Sequence, residues 1–547
     1  MKRRASPSLL GITVFGVAAC TAPGLDHIGT HGDPPDTSTT SATGVASEAA
    51  PPTTGEPGTS TTTEDDPGVT TIGSGATSEP ASSTTTDDPL APPAIVEHEL
   101  GPSPLQQAGP IDVAIGTVHA DGVRMQIDGG PPVELPLVGV DDFAGEIVVY
   151  TALDNGDHTA TFVAWRDDLE SEPLAVPFTV ALPPPGSELF WEGDSAIGKG
   201  TVVALAVTPT HDLIELGTYY PQGQARCYLR RRDLGGAWGP GDLVELKPGL
   251  PCSAIDLTVD EDGALHVLAD KIENGELRWW LGKIDAWAAE PANVGTGAVG
   301  DVARALATDN THVAVCGTKP KTMHLDAAVW IFVPNATGKS LSYDYLPGID
   351  LPVRFSETPR DCRFLGDHLV LSGGMLGLHE GNDAQTRHFV LDIDLAAETP
   401  SWLVAGKGPG SQSEAKTISI DGEGRIITGG HSCGDTCEPQ GELRLFSNPS
   451  EQIWQRALDP SVSPPRAIAW HPAGYAVFAS ARNNAQNTSV FLIQAWFPLG
   501  GAPAWTYEHQ DGPAIHTATA IAIGPYGQIY AGGTTAGGYP AIAVVAP

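Results

Sequence analysis

Thr417-Ile418-Ser419-Ile420-Asp421-Gly422-Glu423-Gly424-Arg425-Ile426-Ile427-Thr428-Gly429 is the stretch that decides how this chain is read. A mainly apolar strand runs into a turn made of Asp and Gly, and a second apolar strand leaves it and ends on glycine. Aspartate suits such a turn because its side chain bonds the nearby backbone, and glycine because it tolerates positive φ. The pattern recurs through the C-terminal two thirds of the chain. Strands ending on Gly or another small residue fall at Gly217, Ala269, Gly317, Gly373, Gly429, Ser480 and Gly532, at intervals of 48 to 56 residues. Turns of the same kind precede them, as at Asp260-Glu261-Asp262-Gly263, His471-Pro472-Ala473-Gly474 and Gly524-Pro525-Tyr526-Gly527. Before the turns lie apolar strands at 202–207, 255–259, 303–307, 362–365, 417–420, 467–470 and 519–523.

A third strand follows each small ending after a longer loop, as at 228–231, 329–333, 388–393, 443–446 and 490–495. A fourth element, mostly carrying Trp or Tyr, closes each unit at Trp191, Trp238, Trp287, Tyr345, Trp402, Trp454 and Trp505. Seven such elements and seven three-strand sets make seven four-stranded units of about 50 residues. The chain is thus expected to be all-β, with 187–547 forming a seven-bladed β-propeller. Trp191 precedes the first three-strand set, and no fourth strand follows the last. Residues 188–192 are therefore expected to be the outer strand of the final blade, tying the domain's ends together and leaving no open edge. The repeats resemble those of bacterial secreted β-propeller proteins, through small-φ-x-φ-Asp-x-x-Gly-x-φ-φ-x-Gly and a downstream Trp. The paired glycines Gly373-Gly374, Gly429-Gly430 and Gly532-Gly533 make them weakly similar to kelch repeats. This resemblance implies a fold, not a reaction.

The N-terminus reads as an address. Lys2, Arg3 and Arg4 open an apolar run to Ala19 that is too short to span a bilayer. Val17-Ala18-Ala19-Cys20 resembles the lipobox of bacterial lipoproteins. That resemblance implies a signal peptide at 1–19 and an acylated, palmitate-type anchor on Cys20. It also implies export to the cell envelope. Thr21, where many inner-membrane lipoproteins carry Asp, implies the outer membrane. Residues 20–94 are rich in Ser, Thr, Pro and acidic residues and lack Lys, Arg and aromatics. They bury too little apolar surface to offset ordering entropy and are expected to be a disordered stalk.

Residues 95–183 alternate apolar and polar at 111–118, 123–127, 147–152, 158–165 and 174–180, between turns such as Asp154-Asn155-Gly156-Asp157. Such alternation predicts a small antiparallel sandwich. The stretch from Asp157 to Trp165, with Phe178-Thr179-Val180, resembles the last strands of bacterial immunoglobulin-like modules, which implies an Ig-like spacer.

Sixty-six acidic and 29 basic residues give a formal charge of −37, which argues against nucleic-acid binding and polybasic membrane contact. Gly295-Thr296-Gly297-Ala298-Val299-Gly300 matches a dinucleotide fingerprint but is followed by no helical pattern, so it is read as a loop. Asp260-Glu261-Asp262-Gly263 and Asp392-Ile393-Asp394 lack calcium-loop spacing and are read as hairpin turns. His324, His379, His388 and His431 are scattered candidates for lining a pocket. No catalytic residue set, cofactor or metal site is assigned.

With Cys20 lipidated, six cysteines remain in an exported chain, an even number that suits disulfides. Position in the repeat pairs Cys227 with Cys252, Cys316 with Cys362 and Cys433 with Cys437. All six are expected at strand ends and loops of one face, which then becomes the expected binding face. The leading expectation is a monomeric, lipid-anchored envelope protein displaying the propeller to bind a carbohydrate or protein ligand. The alternatives are a propeller hydrolase or lyase acting at the channel mouth, and a structural spacer.

Overall fold

The computed structural model describes residues 91–547 apart from 234–241, 247–250, 288, 310, 321–324, 334–338, 344–352, 379–383, 407–411, 434–438, 449–450, 484–487 and 511–514. The signal peptide, Cys20 and nearly all of the stalk lie outside the described residues. Gly200–Val207, Cys252–Val259, Val302–Thr308, Val353–Leu365, Gln412–Ile420, Ala467–His471 and Thr517–Ile523 each begin a four-stranded antiparallel set, here units I to VII. These first strands neighbour one another in cyclic order, and Thr517–Ile523 packs against Gly200–Val207. The inner strands pack closely against their neighbours, and Ala204, Ala305, Ala469 and Ala520 are fully buried there. Sheets cover both faces of these strands, which is why they read as apolar runs rather than alternations. The fold is all-β and is that of a β-propeller. Units III and IV share one sheet through a single parallel pairing of Leu325 with Ser356.

Glu188–Gly193 completes unit VII by pairing antiparallel with Pro540–Val545, so the expected closure is present. Trp191 is only half-buried, stacked on His509 at 3.6 Å and edge-on to Phe491. Ion pairs reinforce the closure. Arg230 meets Asp194 at 2.5 Å, Arg232 pairs with Glu192, and Arg232 Nε lies 3.5 Å from Glu215. Arg230 and Arg232 are 5% and 3% exposed, so these charges lean on their partners rather than on water.

Two details differ from the sequence reading. The outer strand of unit II is Ala292–Thr296 and starts beyond Trp287, which packs against the core between units I and II. Outer strands elsewhere do carry their aromatic, as in Glu451–Ala457 with Trp454 and Trp505–His509 with Trp505. Trp238 and Tyr345 lie outside the described residues. The Gly295 fingerprint ends this outer strand, and packing explains two of its glycines. A Cβ at Gly295 would sit 2.5 Å from Phe332, and one at Gly297 would run into Trp279.

The second difference concerns the cysteines. Disulfides join Cys227 to Cys252 and Cys316 to Cys362, with Cα separations of 5.4 and 6.5 Å. Cys227 and Cys252 stand at strand beginnings, as expected. Cys316 lies mid-strand opposite Ala305, and Cys362 lies three residues before the end of Val353–Leu365. That inner strand starts nine residues earlier than the sequence reading placed it, which moves Cys362 off the loops. The second bridge is thus buried between units III and IV and does not mark a loop face. Cys437 lies outside the described residues, so the Cys433–Cys437 pairing does too.

Residues from Ala94 to Val180 form two facing sheets. Ala94–Gly101, Gly109–Val118 and Asp142–Val149 make one; Val133–Leu135, Gly122–Ile127, Gly156–Arg166, Leu169–Glu170 and Leu174–Val180 make the other. Their inward residues, among them Ile111, Val123, Ile147 and Phe162, form a separate core. The sandwich rests on the unit VII hairpin, where Gln528 Nε2 donates to the Ala108 carbonyl at 2.9 Å. Beside that contact His471 Nε2 donates to the Gly527 carbonyl at 2.8 Å, and its Nδ1 accepts from the Ala473 N–H at 3.1 Å. Both ring nitrogens are satisfied only in the neutral form. Burial accordingly pushes His471 down from 6.5 to about 4, against the pull of the Gly527 bond. Between those values the unfolded chain binds the extra proton, so stability falls as pH falls. The stability advantage of the native chain over His471→Gln should shrink by about 3 kcal/mol between pH 7 and pH 4. Urea titrations at several pH values check this, and a pH-independent difference contradicts it.

Candidate functional site

Six of the seven inner strands carry a β-bulge at one register level, where an extra residue interrupts the pairing with the second strand. The breaks fall at Val202/Ala204, Ala254/Asp256, Ala303/Ala305, Pro359/Asp361, Ala415/Thr417 and Ala518/Ala520. In unit VI, Arg466 N and Ala467 both face Ala479, which puts Arg466 at the same level. A bulge re-aims a side chain and frees backbone groups that need new partners. Side chains one residue further on supply some of them across the junctions. Asp256 accepts from the Leu306 N–H at 2.7 Å, and Asp361 from the Ile418 N–H at 2.9 Å. Burial pushes the Asp256 carboxyl up to about 8, against the nearby charge of Arg363. These two acids hold neighbouring units together and are not exposed to a substrate.

The extra residue itself separates the units into two groups. In units I, II and VII it is Val203, Ile255 and Thr519, exposed by 1%, 6% and 4%. In units III to V it is Arg304, Arg360 and Lys416, all half-buried, and in unit VI the exposed Arg466 stands at the same level, just ahead of the inner strand. Four successive units of a strongly acidic chain thus place a cation at one level of the ring. The repeat contains a signal for this: a basic residue between small residues or Pro, in Ala303-Arg304-Ala305, Pro359-Arg360-Asp361, Ala415-Lys416-Thr417 and Pro465-Arg466-Ala467. Only alignment on the strand register brings it out.

Glu414 sits within this row. Arg360 Nε reaches its Oε1 at 2.6 Å, Lys416 Nζ lies 3.5 Å from its Oε2, and His431 is its partner across the strand pair. Glu414 can lie over unit IV because residue 374 is glycine, whose Cβ would come within 2.9 Å of the Glu414 Cγ. Beneath is a buried polar network. Arg444 Nη2 donates to Glu442 Oε1 at 2.7 Å, Gln455 Nε2 to Glu442 Oε2 at 2.7 Å, and His388 Nε2 lies 3.1 Å from Thr428 Oγ1. Burial, helped by the Arg444 charge, pushes His388 down to about 4, so it is neutral. Burial opposes the Glu442 charge, but His388 and Arg444 outweigh it and hold the carboxyl low.

Of the four candidate histidines, His388 and His431 therefore meet in one cluster, while His324 and His379 lie outside the described residues. The cluster offers one accessible carboxylate flanked by cations. Its second carboxylate, Glu442, is 1% exposed and committed to Arg444, which does not suit paired acid–base work on a substrate. The acidic turns are likewise committed: Asp260 accepts from the Ala264 N–H, and Asp394 from the Ala396 and Ala397 N–H groups. Among the described residues no three His, Cys, Asp or Glu side chains gather as metal ligands. What the arrangement can do is hold an anion and hydrogen-bond to hydroxyls.

No protein-family model matches the chain, and no curated protein matches it. Among solved structures it is similar to the WD40 domain of Neurospora crassa Pan2, at 10% identity over 66% of this chain and 95% of that one, with a TM-score of 0.41. It is also similar to an alpha-L-arabinanase of Penicillium chrysogenum complexed with arabinobiose, at 11% identity over 53% and 92%, TM-score 0.36. TolB from Acinetobacter baumannii matches at 10% identity over 72% and 78%, TM-score 0.33. These likenesses lend no activity to this chain.

Proposed function

We propose that this chain is a lipid-anchored cell-envelope protein that displays a seven-bladed β-propeller as a binding module. The observation that carries the reading is the bulge level of the inner strands, sealed in three units and cationic and accessible in four. The basic signal start and Val17-Ala18-Ala19-Cys20 support the anchor on Cys20. Two disulfides suit an oxidising compartment outside the cytoplasm. Among the described residues no helix is long and apolar enough to cross a membrane. In this reading the stalk gives reach, and the Ig-like sandwich is a spacer seated under the propeller.

Replacing Cys20 by Ala should move the protein from the membrane fraction to the soluble fraction of the envelope. Unchanged membrane association of the variant refutes the anchor. For the binding module, affinity electrophoresis through gels containing envelope polysaccharides should show retardation in at least one gel. Free migration in every one counts against the module.

A further inference from the structure

We propose that Arg304, Arg360, Lys416 and Arg466 together form one site for a short acidic oligosaccharide, a uronic-acid oligomer whose carboxylates they pair. The inference rests on the binding-module reading and names its ligand class. Position is the first argument. Residues that only filled the bulge would be buried in every unit, as Val203, Ile255 and Thr519 are. The charged ones occur together, in four adjacent units, and Arg466 is exposed. Their sequence around the ring makes an arc, which suits a linear ligand with repeating charge better than a single ion.

The second argument is chemical. Glu414 holds Arg360 at 2.6 Å and stands 3.5 Å from Lys416, fixing two of the cations before any ligand arrives. Fixed side chains lose less entropy on binding. The same carboxylate can accept from sugar hydroxyls. His431, kept mostly neutral by burial and by the Lys416 charge, adds a ring that donates and accepts. Cations, a carboxylate and a neutral imidazole together match a sugar acid, which carries both carboxylate and hydroxyl groups. Length follows from charge. At −37 the chain repels long polyanions, whereas a short oligomer meets mainly the local row.

Isothermal titration of the full chain with tetragalacturonate, and with a neutral galactose tetramer, tests this. The acidic tetramer should bind, and more weakly as salt rises. The Lys416→Gln/Arg466→Gln double variant should bind it at least tenfold more weakly, about one lost ion pair or more. Arg466→Lys should stay within about threefold of the native chain, since the charge is kept. Arg466→Glu, at an exposed position, should weaken binding at least as much as the double variant while leaving the urea midpoint near that of the native chain. Equal affinity in native chain and charge variants overturns the proposal, as does binding of neither tetramer. Preference for the neutral tetramer overturns it while leaving the binding module standing. Release of shorter sugars during the titration overturns the binding-module reading itself.

Discussion

A shortened chain that begins at Ala196 is expected to lose the cooperative unfolding transition of the propeller. It lacks Glu188–Gly193, the only strand that pairs with the far side of Pro540–Val545 among the described residues. The exposed edge then offers unpaired N–H and C=O groups to other chains. Trp191 and Phe190 no longer cover the core of units VI and VII. The ionic losses are larger. Arg230 loses Asp194 and Arg232 loses Glu192, and both arginines are nearly inaccessible to water. Removing one partner of a buried pair costs about 3–5 kcal/mol. Arg232 keeps Glu215 at 3.5 Å, so one such loss, together with the lost strand pairing and apolar cover, takes away much of the stability of a typical domain, about 5–15 kcal/mol. Near-ultraviolet circular dichroism and urea unfolding of the shortened chain measure this. A sharp transition at the native midpoint contradicts it. The milder change Asp194→Asn should lower stability while keeping the transition cooperative.

Removing the Cys316–Cys362 bridge should cost about 4 kcal/mol, slightly more than the roughly 3.5 kcal/mol expected for Cys227–Cys252. The bridges close 46 and 25 residues of chain, and the longer closure restrains the unfolded state more. Position adds to the ranking. Cys316 and Cys362 join units III and IV through fully buried sulfurs, where the surrounding core cannot easily close over a lost bond. Substituting Ala at both ends avoids leaving a buried hydroxyl unsatisfied. Urea midpoints of the two double variants, with and without reductant, give the comparison. A midpoint unchanged by Cys316→Ala/Cys362→Ala contradicts the assigned bridge.

The repeat was legible because the geometry of the ring writes directly into sequence. Small residues recur where strands end, apolar runs mark strands covered on both faces, and Asp-Gly turns separate them. Closure was legible too, since Trp191 stands ahead of the first unit with no counterpart after the last. Other features depend on register, which spacing alone does not fix. Cys362 looked like the start of a strand because Pro359 reads as a break, yet the strand continues through it at the bulge. Trp287 looked like a strand residue because other units carry Trp there, but it packs against the core ahead of the outer strand, which begins at Ala292. The Arg230 and Arg232 partners lie about forty residues upstream and meet them only once the ring closes. The cationic arc was hidden for the same reason. Its four residues become equivalent only when each bulge is aligned with the second strand.

Binding without turnover is the central claim, and product analysis tests it most directly. The intact protein would be incubated with envelope and extracellular polysaccharides, both acidic and neutral. Retained polymer and newly formed chain ends would be measured in the same samples. The account predicts retention of at least one of these polysaccharides with no new reducing or unsaturated ends over the incubation. Time-dependent appearance of shortened chains, proportional to the amount of protein, would contradict it.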